Sequence, residues 1–229
     1  MIADDFALLI LESPWWTPKE NPSRASCLPF FQGLEKLYDR FNIYYSTFYD
    51  TAGFEAALHN DLARTTEKKQ IVYIGAHGNS SSIADGRAST VLKKIGFYAP
   101  KAEAVIVSSC MVGTRDDVLR SSFYASNTIR WVFGYSCSID WLTSTLLEVS
   151  LLEAILENDE YEPADERQVI KTFATALSRY NPNSLVGFDT NTQQQVKLSD
   201  SIKLHHRAYK KSYLQIEDLS IKIAAAAWN

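Results

Sequence analysis

Two short apolar runs that end on chemistry-bearing residues constrain this chain most. Ile71-Val72-Tyr73-Ile74-Gly75 leads into Ala76-His77-Gly78, and Ala104-Val105-Ile106-Val107 leads into Ser108-Ser109-Cys110. Runs this short, rich in β-branched residues, read as buried strands. Strand and helix patterns alternate around them. Residues 6–11 and 43–48 read as strands. Residues 30–41 read as a helix with Phe31, Leu34, Leu37, Tyr38 and Phe41 on one face, and 51–63 as a helix capped by Thr51. This alternation predicts an α/β fold, a mostly parallel sheet with helices on both faces.

Farther along, 114–125 reads as a helix and 129–135 as a strand. Residues 141–157 form a long helix with Leu142, Leu146, Val149, Leu152, Ala154 and Ile155 as its apolar flanks. The acidic stretch 157–163 reads as a solvated turn, with an exposed processing site as the alternative. A helix over 165–179 and a hairpin joining 185–188 to 195–198 follow, and the last thirty residues carry no clear pattern. There is no internal repeat or low-complexity linker, so residues 1–229 read as one domain.

Composition removes several function classes. With 46% hydrophobic and 12% aromatic residues the chain is globular, not disordered. With 23 basic against 27 acidic residues, a net charge of −4, it does not read as a nucleic-acid binder. No apolar run approaches the roughly 20 residues of a membrane helix, and Asp4 and Asp5 stand where a secretory signal carries positive charge. The three cysteines, Cys27, Cys110 and Cys137, lack metal-site spacing and are odd in number, which points to the cytosol. Cys27 and Cys137 read as structural, and His59 as a surface residue.

Ligands of open α/β sheets bind beyond the carboxyl ends of the strands. If the two apolar runs are neighbours, His77 and Cys110 stand side by side there. An imidazole can take the thiol's proton and later protonate the leaving amine. The N–H groups of Gly78 and Cys110 are placed to hold the oxyanion, and a glycine allows close approach of backbone to substrate.

An apolar strand into His-Gly, followed by an apolar strand into small-residue–Cys, resembles the caspase-like, clan CD, cysteine peptidases. Asn79-Ser80-Ser81-Ser82 and Phe133-Gly134-Tyr135-Ser136, with Asp140-Trp141 opening the long helix, look like bacterial caspase-like and CHAT-type domains. The resemblance covers roughly residues 1–157, leaving 158–229 as a helical and hairpin extension. It implies a three-layer sandwich around a sheet of about six strands, and endopeptidase activity on a protein substrate without metal or organic cofactor. His77 would be general base and acid, and Cys110 the nucleophile. It also implies a triggered effector in bacterial anti-phage or cell-death defence, set off by an activating partner or a small-molecule signal. Ser108 departs from the pattern, since caspases carry Gln and metacaspases Asp at that position.

Substrate selection is therefore open. Asp140, past the strand that lines the specificity pocket in this family, would attract a basic residue, and Ser108 and Ser136 would line the same region. Lys19 and Arg24 would favour an acidic residue instead; Asp140 is the preferred choice. Trp15 and Trp16 read either as core or as a hydrophobic wall for the substrate. Lys203, His205, His206, Arg207, Lys210 and Lys211 form the one basic cluster, read as a solvated helix face, or else as a site for an anionic regulator or acidic partner. Two other functions compete. One is a non-catalytic adaptor or ligand-binding module of the same fold. The other is a Cys-dependent hydrolase of small esters, which the missing G-x-[SC]-x-G elbow around Cys110 disfavours.

Overall fold

The computed structural model describes residues 5–14, 25–212 and 215–228. Strand β1 (Phe6–Glu12) is buried along its whole length, as a central strand covered on both faces must be. Helix α1 (Leu28–Leu37) has Pro29 in its first turn, where a missing N–H is harmless. It stops at the extended residue Tyr38, and Phe41 opens the edge strand β2 (Phe41–Thr47). The expected stripe is thereby broken: Phe31 and Leu34 are buried while Leu37 is exposed.

Asp50, not Thr51, caps α2 (Thr51–Ala56), because its carboxylate reaches the Gly53 N–H at 2.6 Å. The chain continues through β3 (Lys69–Gly75), the small hairpin β4 (Ser82–Ile83) and β5 (Gly86–Arg87), α3 (Ala88–Tyr98) and β6 (Ala102–Ser108). The single helix expected over 114–125 is instead a chain of short turns around α4 (Asp116–Arg120). Ser121 and Ser122 hydroxyls donate to the carbonyls of Val118 and Leu119 there, which interrupts a regular helix. Then come β7 (Trp131–Tyr135), β8 (Ser138–Ile139), α5 (Trp141–Leu156) and α6 (Glu166–Leu177). The hairpin β9 (Leu185–Asp189) and β10 (Gln194–Lys197), α7 (Leu198–Ser201), β11 (Ile202–His206), β12 (Glu217–Asp218) and α8 (Ser220–Trp228) complete the chain.

Among the described residues the main sheet has seven strands in the order β12-β11-β7-β6-β3-β1-β2. The strands from β2 to β7 run parallel, and β11 runs antiparallel to β7. This is a mostly parallel sheet flanked by helices, the three-layer arrangement the sequence predicts. β11 corrects one reading: His205, His206 and Arg207 do not lie on a solvated helix face. The two histidines pair with Val132 and Trp131 of β7 and are buried. The Arg207 guanidinium is also buried, donating to the Ile129 carbonyl at 2.7 Å and lying over the Phe123 ring. Only the outer part of the cluster, Lys210 and Lys211, is exposed.

Alternation along each strand sends side chains to two separate cores. One face packs Leu8, Ile10, Tyr73, Phe133 and Tyr135 against α1, α5, α6 and α8. The other packs Leu9, Leu11, Val72, Ile74, Val105 and Val107 against α2, α3 and α4.

Candidate active site

β3 and β6 are neighbours in the sheet, with Gly75 opposite Ser108, and the Ala76 N–H extends the ladder to the Ser108 carbonyl at 3.2 Å. His77 and Cys110 each lie two residues beyond that last pair, on strands about 5 Å apart. Both line one cleft of about 390 Å³ at the carboxyl edge of the sheet. His77 is exposed and Cys110 half-buried.

The chain turns sharply after Cys110 because Met111 adopts the left-handed conformation, at φ 59°, which costs a residue with a side chain about 1–2 kcal/mol. Two contacts hold the turn. The Met111 N–H donates to the Cys137 carbonyl at 2.9 Å, and the Thr190 hydroxyl from the β9–β10 hairpin reaches Met111 Sδ at 3.0 Å. The Ser138 hydroxyl donates to Cys110 Sγ at 3.6 Å, which fixes the side chain on the cleft wall.

Gly78 faces Ile83 in an isolated antiparallel bridge. The bonds of that bridge belong to the flanking residues, Ala84 N–H to His77 O and Asn79 N–H to Ser82 O. The N–H of Gly78 therefore points away from the turn. A Cβ at Gly78 would lie 2.0 Å from Ser109 Oγ and 2.9 Å from the Ser82 carbonyl. The packing of Ser109 thus demands glycine here, whether or not a substrate approaches.

The other expected residues are distributed unevenly. Ser108 lines the cleft, and so does Asp140, whose carboxylate also caps α5 by accepting from the Thr143 N–H at 2.9 Å and its hydroxyl at 2.8 Å. Ser136 is not brought into this cleft. It lines an adjacent cavity, and its hydroxyl donates to the Asp200 carbonyl at 2.9 Å. Trp15, Trp16, Lys19 and Arg24 lie outside the described residues. Ser138, Ile139 and Trp141 line the cleft unforeseen.

A buried polar network lies beneath Ser108. Glu148 of α5 accepts from the Tyr73 hydroxyl at 2.9 Å and from the Tyr135 hydroxyl at 3.0 Å. Burial is the main reason its carboxyl is pushed up to about 8, against the pull of Ser108, Tyr73 and Tyr135. On the far side of Tyr73, Cys27 sits against Glu12, and burial holds its thiol well above the ordinary value. Glu12 itself accepts from Ser26, the Cys27 N–H and Tyr45. Burial also drives the Cys137 thiol up to about 12, with Cys110 and Asp189 adding to the effect. The sequence signal for Glu148 was present: it is a charged residue inside the apolar stripe of Leu147, Leu151, Leu152 and Ile155.

No three His, Cys, Asp or Glu side chains among the described residues gather as a metal ion would need. No helix among them is long and apolar enough to cross a membrane. No protein-family model matches the sequence, and no curated protein matches it. The solved structures do offer a comparison. The chain is similar to a secreted C11 cysteine protease from Bacteroides thetaiotaomicron in complex with an irreversible peptide inhibitor, with a TM-score of 0.53 and 11% identity. The match covers 87% of this chain and 66% of that one. The fold is the caspase-like one of clan CD. A second structure, of the secreted C11 protease iotapain from the same organism, aligns with a TM-score of 0.48 and 11% identity over 90% of this chain and 67% of that one. The first of these supports the caspase-like fold and does not single out the caspase (C14) or CHAT-type grouping.

Proposed function

We propose that this protein is a cysteine endopeptidase acting through Cys110 and His77. The observation that carries the reading is the placement of both residues on one cleft, at the ends of adjacent parallel strands in matched register. His77 takes the Cys110 proton, and the thiolate adds to a peptide carbonyl. The oxyanion is held by the N–H groups of Gly78 and Cys110. Collapse of the adduct breaks the C–N bond, with His77 returning the proton to the leaving amine. Water, deprotonated by His77, then hydrolyses the thioester and releases Cys110.

Asp140 on the cleft wall favours a substrate with a basic residue near the scissile bond. A trigger and a role in bacterial defence belong to the same proposal and rest on the sequence resemblance, and a cytosolic setting rests on the cysteine pattern. The test is cleavage of a diverse peptide library by the wild type beside Cys110→Ala and His77→Ala. Cleavage lost in both variants supports the reading, and the cut sites report on Asp140. If the wild type cleaves nothing, iodoacetamide labelling decides: a reactive Cys110 indicates a latent enzyme, and an inert one favours the non-catalytic module.

A further inference from the structure

The peptidase mechanism makes no use of Glu148, which is fully buried 38 positions after Cys110. Three hydroxyls surround its carboxyl, and each belongs to a different strand. Tyr73 of β3 donates to Oε2, Tyr135 of β7 donates to Oε1, and Ser108 at the end of β6 lies between them. Among the described residues, the groups acting on this carboxyl are hydroxyls and not cations. Each tyrosine has a single proton to give and directs it to a different oxygen, which accounts for two of the carboxyl's lone pairs. Ser108 Oγ is buried beside the carboxyl and makes no hydrogen bond of ordinary geometry among the described residues. A protonated Glu148 has one O–H left to donate, and Ser108 Oγ is the open acceptor. An ionised Glu148 would be a buried charge with no counter-charge among the described residues, an arrangement proteins avoid by keeping the proton.

We propose that Glu148 is a positioning residue for the nucleophile: a proton-bearing carboxyl that ties Tyr73, Tyr135 and Ser108 together beneath Cys110, and whose ionisation disables the site. The proposal rests on the peptidase reading only for the identity of Cys110 as nucleophile. Ser108 is two residues before Cys110 and lines the cleft. When Glu148 loses its proton, Ser108 must turn from acceptor to donor toward the carboxylate, and a negative charge appears under the cleft. That charge opposes both the Cys110 thiolate and the oxyanion it generates. The other titratable groups facing the network cannot perform this switch near neutral pH. Burial keeps the Tyr73, Tyr135 and Cys27 protons on well above the ordinary values. Cys137 is pushed up to about 12. Tyr180 bears on Tyr135 and Glu12 on Cys27, and neither is among the groups acting on Glu148.

The experiment is the pH profile of kcat/KM for the wild type and Glu148→Gln, a neutral isostere that cannot ionise. The expected wild-type profile falls above about pH 8, where Glu148 titrates, and the fall is absent in the variant. The same alkaline limb in both proteins overturns the proposal. Should Glu148→Gln fail to fold, Tyr135→Phe serves: removing a donor that favours the ionised form moves the limb to higher pH, and an unmoved limb is again fatal. A wild type that cleaves no peptide bears on the peptidase reading, as a latent enzyme or a non-catalytic module, and not on this one. The pH dependence of Cys110 alkylation by iodoacetamide then replaces kcat/KM. Its midpoint falls in Glu148→Gln if the carboxyl acts on the thiol, and equal midpoints reject that action.

Discussion

The two faces of the main sheet are built on different principles. The face covered by α2, α3 and α4 is aliphatic up to the strand ends, with Leu9 and Leu11, Val72 and Ile74, and Val105 and Val107 side by side. The face covered by α1, α5, α6 and α8 begins in the same way but turns aromatic and then polar toward the carboxyl edge, through Tyr73, Tyr135, Glu12, Ser108 and Glu148. Nonpolar packing needs no partner geometry, so the first face can be filled by shape alone. Each buried hydroxyl or carboxyl on the second must find a bond, which ties the positions of four strands together. The cleft lies at that edge, and the polar face is the one that supports it.

The sharpest separation concerns Cys110 itself, which belongs to neither core. Cys110→Ala is expected to lower peptide cleavage about 10⁵-fold or more while shifting unfolding free energy by no more than about 0.5 kcal/mol. Parallel cleavage and urea-denaturation assays read both numbers. A large loss of stability would mean that the strand end is a packing element first.

Next in size is the pH response of the polar face. Folded Glu148 keeps its proton to about pH 8 whereas the unfolded group releases it near 4.5. Unfolding therefore releases a proton in that window, and stability falls as pH rises through it. The shift corresponds to up to about 5 kcal/mol. Denaturation of the wild type and Glu148→Gln at pH 5 and pH 8 isolates this contribution, because other groups cancel in the difference. A difference that does not change with pH would erase the distinction drawn between the faces.

On the aliphatic face, Ile74→Ala should destabilise by about 3 kcal/mol through lost burial and a cavity, since Ile74 is fully buried. Its effect should be the same at pH 5 and pH 8. The smallest change is Tyr135→Phe, expected to cost about 1–2 kcal/mol for a lost hydrogen bond to the carboxyl, and more at high pH, where that carboxyl is charged.

Much of this was legible along the chain because it is local. The apolar runs of β1, β3 and β6 carry their own strand signal, and the residues following them state their chemistry. The order of His77 before Cys110, together with strand–helix alternation, was enough to anticipate a shared edge. Helix limits were less readable. Leu37 and Phe41 fit the α1 stripe by spacing, yet Tyr38 leaves the helix and the two residues part company. α3 was missed although Val91, Leu92 and Ile95 mark its buried side. β11 was misread because a run of Lys, His and Arg looks solvated until Trp131 and Val132 are found beside it.

The polar network shows where reading along the chain stops. Tyr73, Ser108, Tyr135 and Glu148 are separated by 75 positions from first to last. Nothing in their spacing says that they meet; the order of β3, β6 and β7 and the packing of α5 across them bring them together. Periodicity reports which way a side chain points relative to its own element, and that was sufficient for the strands and for the residues at their tips. Which distant side chain waits on the other side of the interface depends on how the layers stack, and burial there, not residue type, is what keeps a proton on Glu148.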